Sequence, residues 1–146
     1  MARQAASYRT TGIGSATLPT ASLYASATGG LWLVEVGITN TSVTAFEISL
    51  CRLSTAGTSS AKTGTYEESD ANFTAVGTAR DVHSSTAPTL GTEIRRASIG
   101  ASIGSGVIWT FGGRGLLIPS GVANGVGLLP ISVAGQLIDV YWSWDA

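Results

Sequence analysis

Apolar and polar positions alternate along several short stretches of this chain, and no long stretch follows a helical repeat. Residues 30–39, GLWLVEVGIT, put Trp32, Val34, Val36 and Ile38 on one face of an extended strand, with Leu33, Glu35 and Gly37 on the other. After the turn chemistry of Asn40-Thr41-Ser42, residues 43–54 resume with Phe46, Ile48 and Leu50 opposite Glu47, Ser49 and Cys51, so the two stretches read as a hairpin. The C-terminal third carries four apolar runs, VIWTF, GLLIP, GLLPISV and LIDVYWSW, separated by GGRG, SGVANG and AG. This is the pattern of consecutive antiparallel strands joined by tight turns. In the last run Val140, Trp142 and Trp144 share one face, and Asp139, Tyr141 and Ser143 share the other. A weaker alternation over 92–103 adds a strand interrupted at Gly100.

The count is about seven or eight strands with no helix long enough to cover a sheet. An all-β fold follows, an antiparallel sandwich of jelly-roll type whose apolar faces meet roughly 10 Å apart. Its expected core is Trp32, Val34, Val36, Ile38, Phe46, Ile48 and Leu50 together with Val140 and Trp142. The chain divides into residues 1–28 and a single sandwich domain over 29–146. The first segment is small and polar, punctuated by Gly12, Gly14 and Pro19, with isolated apolar side chains too sparse to form a core. It reads as an extended arm ordered against another surface, with Tyr8, Leu18, Leu23 and Tyr24 as anchors and Arg9 paired to an acidic group. Residues 55–91 read as a long irregular loop, with one helical turn at 67–73 and a strand at 73–80 as its only structure.

Composition narrows the function more than the fold. Only 12% of the 146 residues are charged and the net charge is −1, which leaves no basic footprint for nucleic acid and no polybasic patch for a membrane surface. No run approaches the roughly 20 apolar residues of a membrane-spanning helix, and the N-terminus lacks the apolar core of a signal peptide, so the chain reads as made in a cytoplasm. Cys51 is the single cysteine and reads as an inert strand residue, with neither a disulfide nor a cysteine-based zinc site.

The search for chemistry ends without an active site. Gly100-Ala101-Ser102-Ile103-Gly104 matches the G-x-S-x-G pattern, but the elbow needs a following helix and a histidine later in the chain, and the one histidine, His83, precedes it. His83 sits in RDVHSSTAP, which reads as a polar loop with a solvated imidazole. Glu67, Glu68 and Asp70 form the one acidic cluster, without the spacing of a calcium loop. No glycine run builds a phosphate-binding loop. The expectation is a protein that is not an enzyme and takes no cofactor or metal.

The segments GLWLVEVGITNTSVTAFEISLCRL and GLLIPSGVANGVGLLPISVAGQLIDVYWSWDA together resemble the small jelly-roll virion proteins of tailed bacteriophages. The closing pattern G-L-x-I-P-x-G-x-A-N-G-x-G is carried by Gly115, Leu116, Ile118, Pro119, Gly121, Ala123, Asn124, Gly125 and Gly127, and the aromatic terminus by Trp144 and Asp145. The resemblance implies a capsid decoration (cement) protein on the outside of the virion head, with the major capsid protein as partner. It also implies self-association, expected as a homotrimer through Leu33, Leu116 and Tyr141 on the second strand faces. The alternative is a tail- or fibre-associated module that binds cell-surface glycan.

Overall fold

The computed structural model describes residues 2–67, 76–131 and 135–146, and they are strand and turn throughout, with no helix among them. The strands are β1 (Arg3–Arg9), β2 (Ala21–Ala25), β3 (Leu31–Asn40), β4 (Phe46–Leu53), β5 (Thr58–Ala61), β6 (Thr65–Tyr66), β7 (Gly77–Ser84), β8 (Leu90–Ile99), β9 (Gly106–Thr110), β10 (Leu116–Ile118), β11 (Gly125–Pro130) and β12 (Ile138–Asp145). They form two sheets. One runs β10-β3-β12-β1-β6, with β9 alongside β10 on the same edge of β3, and the other runs β5-β7-β2-β11-β4-β8. All pairings are antiparallel. The inner faces enclose one core, whose largest buried side chains include Trp142, Trp144, Leu31, Leu33, Ile38, Ile48, Leu50, Ile118, Leu128 and Ile138. A smaller cluster of Tyr24, Cys51, Leu53 and Leu129 packs separately.

The alternation read from β4 and β12 holds. Phe46, Ile48 and Leu50 of β4 and Val140, Trp142 and Trp144 of β12 all enter the main core. In β3 the alternation changes phase halfway. The β12 register pairs Ser143 with Glu35 and Trp144 with Leu33, so Val34 is an extra residue, a β-bulge. One added residue turns every side chain beyond it to the other face. Val36 and Ile38 therefore point inward as expected, whereas on the other side of the bulge the inward residues are Leu31 and Leu33. Trp32 and Val34, expected in the core, are only half-buried.

The expected hairpin of β3 and β4 does not form, because the two strands belong to different sheets. Their apolar faces meet across the core instead of lying side by side. Buried Asn40 builds the crossing: its amide donates to the carbonyls of Thr44 and Gly100, both at 2.9 Å, and its oxygen accepts from the Ser42 N–H at 3.0 Å. The C-terminal runs are strands as expected, but not successive partners. Chain direction switches from β10 to β11 and from β11 to β12 by changing sheet. The segment 119–124 makes the first switch: Gly121, at φ 124°, donates to the carbonyl of Ser26 at 2.7 Å, and the Asn124 side chain donates to the carbonyl of Ser120 at 2.7 Å.

The structure also corrects the N-terminal arm. β1 lies between β12 and β6, paired residue by residue with β12 from Arg3↔Asp145 to Arg9↔Asp139, and β2 lies between β7 and β11. Sparse apolar residues suffice here because a strand inside a sheet needs only alternate positions to be small or apolar: Ala6, Ala21 and Leu23 supply them. The irregular loop is corrected as well. Within 55–91 lie β5, β6 and β7, which extend both sheets beyond β1 and β2. The strand expected at 73–80 begins at Gly77; the helical turn at 67–73 falls almost wholly outside the described residues.

Candidate functional site

The residues expected to hold a capsid or a second subunit are mostly occupied inside the sandwich. Leu23 is fully buried in the core, and Tyr24 is buried with its hydroxyl donating to the Thr55 carbonyl at 2.9 Å. Leu18 is half-buried in the β1–β2 loop, where its N–H donates to the Ser15 hydroxyl at 3.1 Å. Tyr8 accepts a hydrogen bond from the Trp142 indole and donates one to the Arg80 carbonyl, each 3.0 Å long, and burial pushes its phenol up from the ordinary tyrosine range. Arg9 has its acidic group, but within the chain: a two-pronged pair with Asp139 at 2.7 and 2.9 Å. Of the three sheet-face residues, Leu33 is fully buried in the core and Leu116, directly opposite it, packs against the same core. The bulge at Val34 is why Leu33 faces inward.

Tyr141 alone stands on the outer face of its sheet. It is paired with Gly37, and its ring lies over that glycine so closely that a Cβ there would come within 2.0 Å of a ring carbon. The ring is held by a 2.5 Å hydrogen bond from its hydroxyl to Glu35. Burial, then the Glu35 carboxylate, push the phenol up to about 12. Beside the ring a shallow groove of about 400 Å³ runs between β3 and β9, floored by Gly37, Gly104 and Gly106 and bordered by Ile108. Replacing Gly37 by Ala is expected to push the ring off the sheet and break its bond to Glu35. The phenol then titrates nearer 10 than 12, which ultraviolet absorbance titration reads, with Tyr141→Phe assigning the transition.

The turn between β9 and β10 takes part in two cation–π stacks that the sequence did not announce. Arg114 lies 4.9 Å from the centre of the Trp32 ring, and Arg95 lies 5.0 Å from that of Phe111. Arg52 donates to the Leu117 carbonyl at 2.5 Å and so closes the outer edge of β10. Ile108, Leu117 and Val122 are exposed. The arrangement can hold a partner through apolar contact, aromatic faces and main-chain groups.

Two buried polar groups were also missed. His83 is not in a solvated loop: it ends β7, is 8% exposed, and its Nε2 lies 2.7 Å from the Ser22 hydroxyl. Burial, then the nearby Arg80 charge, lower its pKa to about 4, so the ring is neutral at pH 7. Asp81, two residues earlier, bonds instead to Thr11 and pairs with Lys62 at 3.2 Å. A serine and a histidine in contact suggest nucleophilic catalysis, but Ser22 is fully buried and, among the described residues, no carboxylate holds the other ring nitrogen. The contact ties β2 to β7 inside the sandwich. Ser102 lies in an exposed turn between β8 and β9. Glu67 accepts from the Ser143 hydroxyl at 3.0 Å; Glu68 and Asp70 lie outside the described residues.

Among the described residues no three of His, Cys, Asp and Glu are grouped to hold a metal ion, and no helix is long and apolar enough to cross a membrane. Comparison with family models, curated proteins and solved structures finds no match.

Proposed function

We propose that this chain is a structural protein of a tailed-bacteriophage virion, a capsid decoration (cement) protein that binds the outer surface of the head and strengthens contacts between neighbouring major capsid proteins. The observation that carries this reading is the strand order. The strands β3, β12 and β1, with β9 and β10 sharing the edge beside β3, face the four strands β2-β11-β4-β8, an order that supports a jelly roll of two interleaved Greek keys. On this reading β5, β6 and β7 are an insertion that lengthens both sheets at one side. The closing pattern from Gly115 to Gly127 then has a structural meaning, since it forms the crossing from β10 in one sheet to β11 in the other.

The capsid-facing surface in this proposal is the β10 edge and the turns beside it, where Leu117 and Val122 are exposed and Arg114 stacks on Trp32, and not the N-terminal residues. Counting copies per particle by quantitative mass spectrometry of purified virions tests the role. A decoration protein is present in numbers comparable to the major capsid protein; a few copies per particle would overturn the reading. The second reading, a tail- or fibre-associated glycan-recognition module, is favoured by the fixed Tyr141 ring beside Glu35 and the open groove. It requires the low copy number, and binding to a glycan array that Tyr141→Ala abolishes.

A further inference from the structure

We propose that β9 is a self-pairing edge, through which two copies of the chain join antiparallel about a two-fold axis at Ile108. An open edge presents unpaired main-chain N–H and C=O groups to any other chain, and folded proteins blunt it with charge, bulges, short strands or a cover. The long edge strand β8 carries Glu93, Arg95 and Arg96, and its pairing with β4 is broken by two irregularities. Edge strand β5 has an irregularity and is followed directly by Lys62, and β6 is two residues long. The outer carbonyl of β10 at Leu117 is covered by Arg52. Strand β9, GVIWT, has none of these devices: no charge, no proline and an unbroken register with β3.

The direction of its free groups follows from one hydrogen bond. The Phe111 N–H donates to the Val34 carbonyl on β3. Because main-chain groups alternate along an antiparallel strand, Val107 and Trp109 also point toward β3, and Gly106, Ile108 and Thr110 point away from it. These three residues are all exposed. Placed antiparallel to itself, the strand sets Ile108 against Ile108, and Gly106 against Thr110 of the second copy. The Ile108 side chain, 61% exposed, is thereby covered by its own counterpart.

Charge selects a second copy as the occupant. Self-pairing through β8 would bring Glu93, Arg95 and Arg96 of both copies into the contact, whereas β9 brings no charge to the axis. Of the residues expected to join a homotrimer, Leu33 lies in the core and Leu116 packs against it, which leaves Tyr141 on the outer face. A five-residue edge falls below the roughly 1,000 Å² of a stable interface, so the dimer is reversible in dilute solution.

Disulfide trapping tests the register. In the paired state the two Ile108 Cα atoms lie roughly 5.5 Å apart, within disulfide reach, while the two Thr110 Cα atoms lie about 14 Å apart. Native Cys51 does not compete, being 5% exposed with its thiol pushed up to about 11 by burial. Under mild oxidation Ile108→Cys is expected to form a covalent dimer and Thr110→Cys to remain monomeric. Ile108→Pro removes only an outward N–H, so it preserves the sandwich by circular dichroism and abolishes the dimer that sedimentation equilibrium shows at high protein concentration. Equal trapping at both positions, no trapping at Ile108, or a trimer in sedimentation would overturn the proposal.

Discussion

Trp142→Ala is expected to destabilise the protein by about 3 to 5 kcal/mol, the usual cost of truncating a buried aromatic side chain. That is a large fraction of the roughly 5–15 kcal/mol by which domains of this size are stable. The residue is completely buried on β12 between Ala6 of β1 and Val36 of β3. Its indole N–H also begins a short chain of hydrogen bonds, through the Tyr8 hydroxyl to the Arg80 carbonyl on β7, that ties one sheet to the other. Truncation opens a cavity and breaks that tie together. Tyr8→Phe breaks the tie without a large cavity and leaves the indole donor unpaired, for a cost of about 1 to 3 kcal/mol. Urea unfolding of both variants measures the two effects. Equal losses would mean that the cavity contributes little.

Lowering the pH from 7 to 4 is expected to cost on the order of 2 to 3 kcal/mol through His83 alone. The sign follows from its pKa, lowered from 6.5 in the unfolded chain to about 4 in the folded one. Between these values the unfolded state binds the proton and the folded state does not, so acid favours unfolding. The contribution is fully present above pH 6.5, is lost progressively as the pH falls toward 4, and changes no further below that. His83→Gln keeps a neutral polar side chain and flattens this part of the curve. Denaturant midpoints at pH 7, 6, 5 and 4.5 for both proteins are expected to converge in acid. Parallel curves would mean that His83 is not held neutral by the fold.

The fold class was legible in the sequence because short alternating runs between glycine-rich breaks are direct consequences of strand geometry. The faces of β4 and β12 were readable for the same reason. In β3 the alternation looked continuous, but Val34 is an apolar residue inserted into an apolar run, and periodicity carries no mark of a bulge there. In β7 the inward positions after Ala79 are Asp81 and His83. A strand whose interior side is polar reads as a loop, and only the partners Thr11, Lys62 and Ser22, distant in sequence, make that burial tolerable. The N-terminal strands were missed because composition measures whether a segment can form a core alone, whereas β1 and β2 are stabilised by neighbours from the other end of the chain. Of the proposed binding residues, Tyr141 lies on the outer face of its sheet and Arg9 is exposed beside Asp139, whereas Leu23, Tyr24 and Leu33 are buried. The aromatic–arginine stacks of Trp32 with Arg114 and Phe111 with Arg95 depend on tertiary proximity that spacing does not encode.

The central claim is that this sandwich decorates a virion head through the β10 edge and the turns beside it. The most direct test is an electron cryo-microscopy map of the whole particle. The account predicts density for the sandwich repeated over the outer surface of the head, with Leu117 and the 111–115 turn against the shell, Ile108 against a neighbouring copy and the β5–β7 side toward solvent. Density confined to the tail or its fibres, or heads whose outer surface lacks this sandwich, would contradict it.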